Sequence, residues 1–230
     1  MRTLTLSAPG KNALSTELMR RVTDEVRAAQ GDALFVTGEG DAFSAGLNLK
    51  EVASLDEPGL VAFLGTLEEM VQALYEHAGP TVACVNGHAI AGGCVVALCC
   101  DVRVMTAREG ARIGLNEVAL GLQFPPKTFE MARRRVPGAS LSRVLLEADL
   151  YAAAEAKELG LVDVIGEEAD ARARLAKLAA HPRDAYAAAK AKVRGTLDID
   201  EATRAAFVRD VVPTWAAPAL KERLRAVLRK

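Results

Sequence analysis

Apolar residues recur along this chain in two rhythms, and the switching between them predicts alternating strands and helices. Short apolar runs at residues 3–6, 33–37, 81–85 and 102–105 read as buried strands. Between them, Leu18, Val22 and Val26 fall on one helical face, with Ser15 placed to cap it. Leu14 and Met19 have the spacing of a hydrophobic staple around that cap. From Pro58 onward, Leu60, Leu64, Leu67, Val71 and Leu74 form a second stripe, which Pro80 stops. A third helix is predicted over 92–100. The stretch 111–121 reads as irregular, with a helix beginning near Lys127.

Beyond Gly138 the strand signals nearly vanish. Helices are predicted over 139–147 and 152–159, the latter closed by Gly160, with one last strand over 161–165. Three helices then finish the chain, with breaks near Pro182, around 195–198 and at 213–218. The pattern predicts an α/β core domain over residues 1–165 and a helical region over 166–230. Alanine-rich helices with modest apolar stripes bury little alone. They point to packing against another subunit, with Trp215 as a core or interface anchor.

Composition narrows the function. The chain has 230 residues, enough for a full core, and is half hydrophobic but only 4% aromatic, so Ala, Val and Leu must build that core. A net charge of −1 without any basic block argues against nucleic acid or an anionic membrane surface as partner. No apolar run is long enough to span a bilayer. The start does not read as a signal peptide, and Leu228-Arg229-Lys230 is no peroxisomal address. Cys84, Cys94, Cys99 and Cys100 sit in apolar segments without metal-ligand spacing. They read as reduced, buried thiols of a cytoplasmic protein that holds no metal.

Candidate chemistry concentrates in two turns and one carboxylate. In Val85-Asn86-Gly87-His88-Ala89-Ile90-Ala91-Gly92-Gly93-Cys94-Val95-Val96, an apolar run meets a turn and paired glycines open a helix. The first N–H groups of a helix lack internal partners, and glycine lets a ligand oxygen approach bare backbone. Such donors suit an oxygen that gains negative charge during a reaction. A second backbone-rich turn, Phe43-Ser44-Ala45-Gly46-Leu47-Asn48-Leu49, lies upstream, and Glu117 lies downstream. Together they suggest thioester enolate chemistry.

These segments, with Cys100-Asp101-Val102-Arg103 and Ile113-Gly114-Leu115-Asn116-Glu117, resemble the successive signatures of the crotonase (enoyl-CoA hydratase/isomerase) superfamily. Lys11-Asn12-Ala13-Leu14 resembles its early loop, and Glu155-Ala156 with Gly160-Leu161-Val162 its late helix-to-strand junction. The resemblance implies a core of repeated strand–strand–helix turns with a helical carboxyl-terminal region that oligomerises, as homotrimers or dimers of trimers. It implies an acyl-CoA thioester substrate and no separate cofactor, since coenzyme A enters as part of the substrate. The oxyanion donors fall on the backbone N–H groups of Leu47 and Gly92. Ala45, Gly46, Lys50, Gly93 and Val95 fall on substrate-binding positions, and Lys11 and Lys50 on the rim facing the nucleotide.

Within that family the resemblance is nearest to the Δ3,Δ2-enoyl-CoA isomerases. Hydratases hold a water between two glutamates; Val95 occupies the first of those positions and Glu117 the second. One carboxylate suffices for a 1,3-proton shift, because one base can take a proton at C2 and return it at C4. Val95 and Val118 are expected to desolvate that carboxylate. The alternatives are an enoyl-CoA hydratase or other crotonase-type enzyme, with Glu130 or Asp149 as a replacement acid, and a non-catalytic acyl-CoA-binding subunit. Asn48 replaces the usual aspartate of the first turn, which bears on a structural hydrogen bond rather than chemistry. His88 and Cys94 read as packed side chains.

Overall fold

A computed structural model describes residues 1–229; Lys230, the end of the carboxyl-terminal tripeptide and of the helical region, lies outside the described residues. The long apolar runs pair into one parallel sheet, ordered β1 (Arg2–Leu6), β2 (Leu34–Gly38), β4 (Thr81–Val85), β6 (Val102–Met105) and β8 (Val164–Ile165). Its register runs Leu4 to Val36, Val36 to Ala83, Cys84 to Val104 and Val104 to Val164. Alternation along the strands splits their side chains between two cores. Leu4, Leu34, Val36 and Ala83 face the main core, while Phe35, Val82, Cys84 and Val104 face helix Glu168–Ala179 through Ala171 and Leu175. A parallel sheet covered on both faces needs continuous apolar strands, and these runs provide them.

The fold also holds a second parallel sheet, which the apolar pattern does not predict. It consists of β3 (Ala42–Ser44), β5 (His88–Ile90) and β7 (Ile113–Gly114), the last within the stretch expected to be irregular. Strands of two or three residues carry no readable period. The chain passes from large sheet to small sheet three times, β2 to β3, β4 to β5 and β6 to β7. Each pass ends in helix: Leu49–Ser54 and Glu57–Tyr75, then Gly92–Cys99, then Glu117–Leu120 and Pro126–Arg135. This is the repeated strand–strand–helix architecture that the resemblance implies.

Helix boundaries follow the expected chemistry. The Ser15 hydroxyl accepts from the Leu18 N–H at 3.2 Å and starts helix Thr16–Ala28. Asn48 Oδ1 accepts from Glu51 N at 3.2 Å, so the asparagine caps helix Leu49–Ser54. Helix Gly92–Cys99 is buried all round and forms the centre of the main core. Four helical stretches rather than three follow residue 166: the breaks near Pro182 and 195–198 lie between helices, but the one expected over 213–218 narrows to Ala217, because Pro213 sits in the first turn of helix Val212–Ala216, where its missing N–H costs nothing. Trp215, Leu220 and Leu224 from these stretches are buried in the main core.

Asp101 joins the late helices to the sheets. Its carboxylate accepts from Thr81 N (2.8 Å), Tyr186 Oη (3.0 Å), Lys190 Nζ (2.8 Å) and Arg194 Nη2 (2.6 Å). Burial pushes this carboxyl up, but Lys190 and Arg194 outweigh it and hold it below the ordinary range. Burial pulls Lys190 down to about 8 against the attraction of Asp101. Asp101→Asn would leave two buried cations uncompensated, which costs about 3–5 kcal/mol. The expected outcome is a fall of roughly 10 °C in the unfolding midpoint, measured by calorimetry.

Candidate active site

The three strands of the small sheet run parallel, and each delivers one candidate group just past its carboxyl end. Leu47 follows β3, Gly92 follows β5 and Glu117 follows β7. Beyond the carboxyl ends of parallel strands is where open α/β sheets present their ligand crevices.

The first turn has nearly all its backbone hydrogen bonds committed. Ala45 N–H donates to Lys11 O (3.0 Å), Gly46 N–H to Ser44 Oγ (3.2 Å) and Asn48 N–H to Leu14 O (3.0 Å). Leu14 N–H donates to Gly46 O (2.7 Å), and Asn12 Nδ2 to Ala42 O (2.9 Å). Thus the early loop, residues 11–14, clamps the turn. Among the described residues the Leu47 N–H has no acceptor. Gly46 adopts φ +88°, and a Cβ there would lie 2.6 Å from Ile90 O, so the turn tolerates only glycine.

The second turn is a corner between sheet and helix. Ala91 N–H donates to Gly114 O (2.8 Å) on the sheet side, and Ala91 O accepts from Val95 N (2.9 Å) on the helix side. Ala91 has no side-chain oxygen to cap the helix, and the Gly92 N–H has no acceptor among the described residues. A Cβ on Gly92 would lie 3.4 Å from the Leu47 nitrogen, and one on Gly46 would lie 3.3 Å from the Gly92 nitrogen. The two free N–H groups therefore belong to turns in van der Waals contact. Ala91 adopts φ 48°, ψ −114°, outside the left-handed well, a strain of about 1–3 kcal/mol.

Beside these turns lies a cavity of about 300 Å³ lined by Ala45, Leu47, Leu49, Ile90, Ala91, Asn116, Glu117, Leu120, Leu122, Leu150 and Val227. Among the described residues Glu117 is its one titratable side chain, 8% exposed, and Oε2 has no hydrogen-bond partner. Burial pushes the carboxyl up to about 8, against a smaller pull from its own backbone N–H. Asn116 Oδ1, on the adjacent residue, is likewise buried without a partner.

Of the sequence candidates, Ala45, Leu47 and Glu117 line the cavity, and Gly46 and Gly92 hold the turns against it. Gly93 does not reach it: a Cβ there would overlap the Ser44 carbonyl, so this glycine lets the helix pack on β3. Val95 is buried in the core, 1% exposed, and Lys50 is exposed on the Leu49–Ser54 helix; neither is in the lining. Lys11 pairs with Asp41 at 3.9 Å. Val118 is 47% exposed, so the cavity walls rather than this valine desolvate Glu117. Glu130 is held by Arg133 and Arg134, which pull it down to about 2, and Asp149 is exposed; neither lines the cavity. The Cys94 thiol is pushed up by burial and is inert as a nucleophile. Leu120, Leu122, Leu150 and Val227 also line the cavity and belong to no motif; in the sequence only the closely spaced apolar pair Leu120 and Leu122, just past Glu117, hints at a wall.

Known proteins share the fold that carries this site. Residues 1–215 match the family described as Enoyl-CoA hydratase/isomerase. The chain is 34% identical over 206 residues to the 2,3-dehydroadipyl-CoA hydratase of Escherichia coli (strain K12), covering 85% of this chain and 79% of that one. It is 32% identical over 168 residues to the mitochondrial enoyl-CoA delta isomerase 1 of Mus musculus, covering 71% and 58%. The crystal structure of human mitochondrial delta3-delta2-enoyl-CoA isomerase superposes with a TM-score of 0.87 at 26% identity, covering 99% of this chain and 92% of that one.

The Glu117 carboxyl makes stability depend on pH. It holds its proton in the fold up to about 8 but releases it near 4.5 when unfolded. Between those values the native state binds more protons, so this group's contribution to stability falls as pH rises, then stays constant above about 8. Glu117→Gln removes the effect. The variant should match the parent near pH 4.5 and exceed it by a few kcal/mol at pH 9, measured by urea unfolding across pH.

Proposed function

The chain belongs to the enoyl-CoA hydratase/isomerase family, and within it we propose that this protein is a Δ3,Δ2-enoyl-CoA isomerase with Glu117 as its single base. The observation that carries the reading is Glu117, the one carboxylate among the described residues of a cavity otherwise aliphatic but for Asn116, with an unpartnered oxygen and a carboxyl pushed up to about 8 by burial, beside two free N–H groups. A thioester carbonyl placed between Leu47 N–H and Gly92 N–H is polarised by dipoles that need no reorganisation. Ionised Glu117 takes a proton from C2. The electrons of that C–H bond form a C1–C2 double bond as the carbonyl π electrons move onto the thioester oxygen, giving a dienolate that still holds the C3–C4 double bond. Glu117 then returns the proton at C4 as the carbonyl re-forms, leaving the double bond conjugated with the thioester. Val95, where hydratases resembling this chain carry their first glutamate, supplies no second carboxylate.

One observation favours a second reading. The unpartnered Asn116 Oδ1 and Glu117 Oε2 sit on adjacent cavity residues. A water donating to both would be a nucleophile for hydration at C3. Assembly into trimers or paired trimers belongs to the main proposal, and sedimentation at micromolar concentration should give a species of about three or six chains.

Incubation with trans-3-hexenoyl-CoA and trans-2-hexenoyl-CoA separates the two readings. Conjugated 2-enoyl product from the first, with the second left unhydrated, is expected. Accumulation of 3-hydroxyhexanoyl-CoA from the second would replace isomerisation with hydration, and binding without turnover would mark a non-catalytic subunit. Glu117→Gln should lower isomerisation by roughly 10²–10⁴ while acyl-CoA still binds. Because the base works ionised, kcat/KM should rise with pH and level off above about 8.

A further inference from the structure

We infer that the Ala91 methyl group is a spacer that sets the gap between the Leu47 and Gly92 N–H groups, held there at the expense of backbone strain. This rests on reading those two groups as the oxyanion donors. It concerns a residue that makes no polar contact with a substrate.

Ala91 occupies φ 48°, ψ −114°, the geometry of the first corner of a type II′ turn, which glycine fills without steric cost. The side-chain-capped helix starts at Ser15 and Asp56 use extended backbone instead, with ψ 165° and −179°. Two hydrogen bonds force the departure at Ala91. Its N–H is committed to the small sheet at Gly114 O, and its carbonyl to the helix at Val95 N. That carbonyl and the Gly92 N–H share one peptide plane. With the C=O turned into the helix, the N–H must point the opposite way, out of the helix start.

Those hydrogen bonds would be equally available to glycine, so they do not account for the alanine. Its Cβ has a specific neighbour. A Cβ built on Gly46 would lie 3.3 Å from the Ala91 Cβ, and Ala91 is only 7% exposed while still lining the cavity. The methyl thus fills the seam between the two donor turns, from the cavity side. Gly46, one residue before Leu47, is the surface it rests on. Removal of the methyl leaves a void in that seam and lets the turns approach or shear. The corner meanwhile relaxes into a conformation glycine prefers. Stability and catalysis should therefore move in opposite directions.

The test compares Ala91→Gly and Ala91→Ser with the parent by unfolding midpoint, by kcat and KM on trans-3-hexenoyl-CoA, and by the infrared carbonyl stretch of bound hexanoyl-CoA carrying ¹³C at the thioester carbon. Ala91→Gly should unfold about 2–4 °C higher. Its kcat should fall about tenfold with KM within threefold, since removing an entire oxyanion donor costs about 10²–10³ and here the donor is displaced rather than lost. The carbonyl stretch, lowered in the parent by two N–H donors, should move back toward its solution value. Ala91→Ser restores the Cβ and should recover most of both losses. A parent-like kcat and carbonyl stretch in Ala91→Gly overturns the spacer role. No lowering of the stretch in the parent overturns the donor assignment itself, and the spacer with it. Because hexanoyl-CoA cannot isomerise, the infrared result stands even if the reaction proves to be hydration.

Discussion

The site depends on a sheet that is too small to hold itself together. β3, β5 and β7 are two or three residues long, and isolated strands of that length have no stability in water. Their register is imposed from outside by short links to the large sheet and by two asparagine side chains. Asn86 Nδ2 donates to Gly38 O and Gly40 O, each at 3.0 Å, and its Oδ1 accepts from Gly38 N at 3.1 Å. Asn12 Nδ2 reaches Ala42 O and Glu39 O, each at 2.9 Å. These amides pin the turns that lead into β3 and β5. The two free N–H groups inherit their placement from them, which is why residues distant from any substrate belong to the same loop signatures.

Two buried carboxylates in this chain meet opposite fates, and the contrast separates structural from chemical use of charge. Asp101 is surrounded by donors and cations and is driven below its ordinary range despite burial. Among the described residues Glu117 has no cation beside it and keeps an unpartnered oxygen in a largely apolar cavity, so burial drives it upward. The first arrangement spends desolvation to tie helix Arg183–Arg194 to the sheets. The second leaves desolvation uncompensated, and a carboxyl so placed gives and takes a proton near neutral pH.

The large sheet was legible because four of its five strands are four- or five-residue apolar runs bounded by turn signals, and the helices because their stripes and caps are regular. Serine at 15 and proline at 58 mark helix starts in any sequence. The small sheet was not legible, since Ala42–Ser44 and Ile113–Gly114 are too short to show alternation. Glu117 was legible only through the residues around it: a glutamate in a loop is ordinarily a surface group. The cavity wall was the least legible part. Leu150 and Val227 are separated along the chain from every motif and meet Leu120 and Leu122 only in three dimensions. Val118, beside Glu117 in sequence, is the expected desolvating neighbour, yet a helix of a single turn points successive residues in different directions and leaves it exposed.

The carboxyl-terminal helix Pro218–Val227 packs on helix Leu49–Ser54, where Lys221 Nζ donates to Leu55 O at 2.6 Å, and it carries Val227 into the cavity wall. The dryness of the cavity around Glu117 is thus shared with a helix about a hundred residues further along the chain, so a substitution at the Lys221 contact reaches the site without touching any group that handles charge.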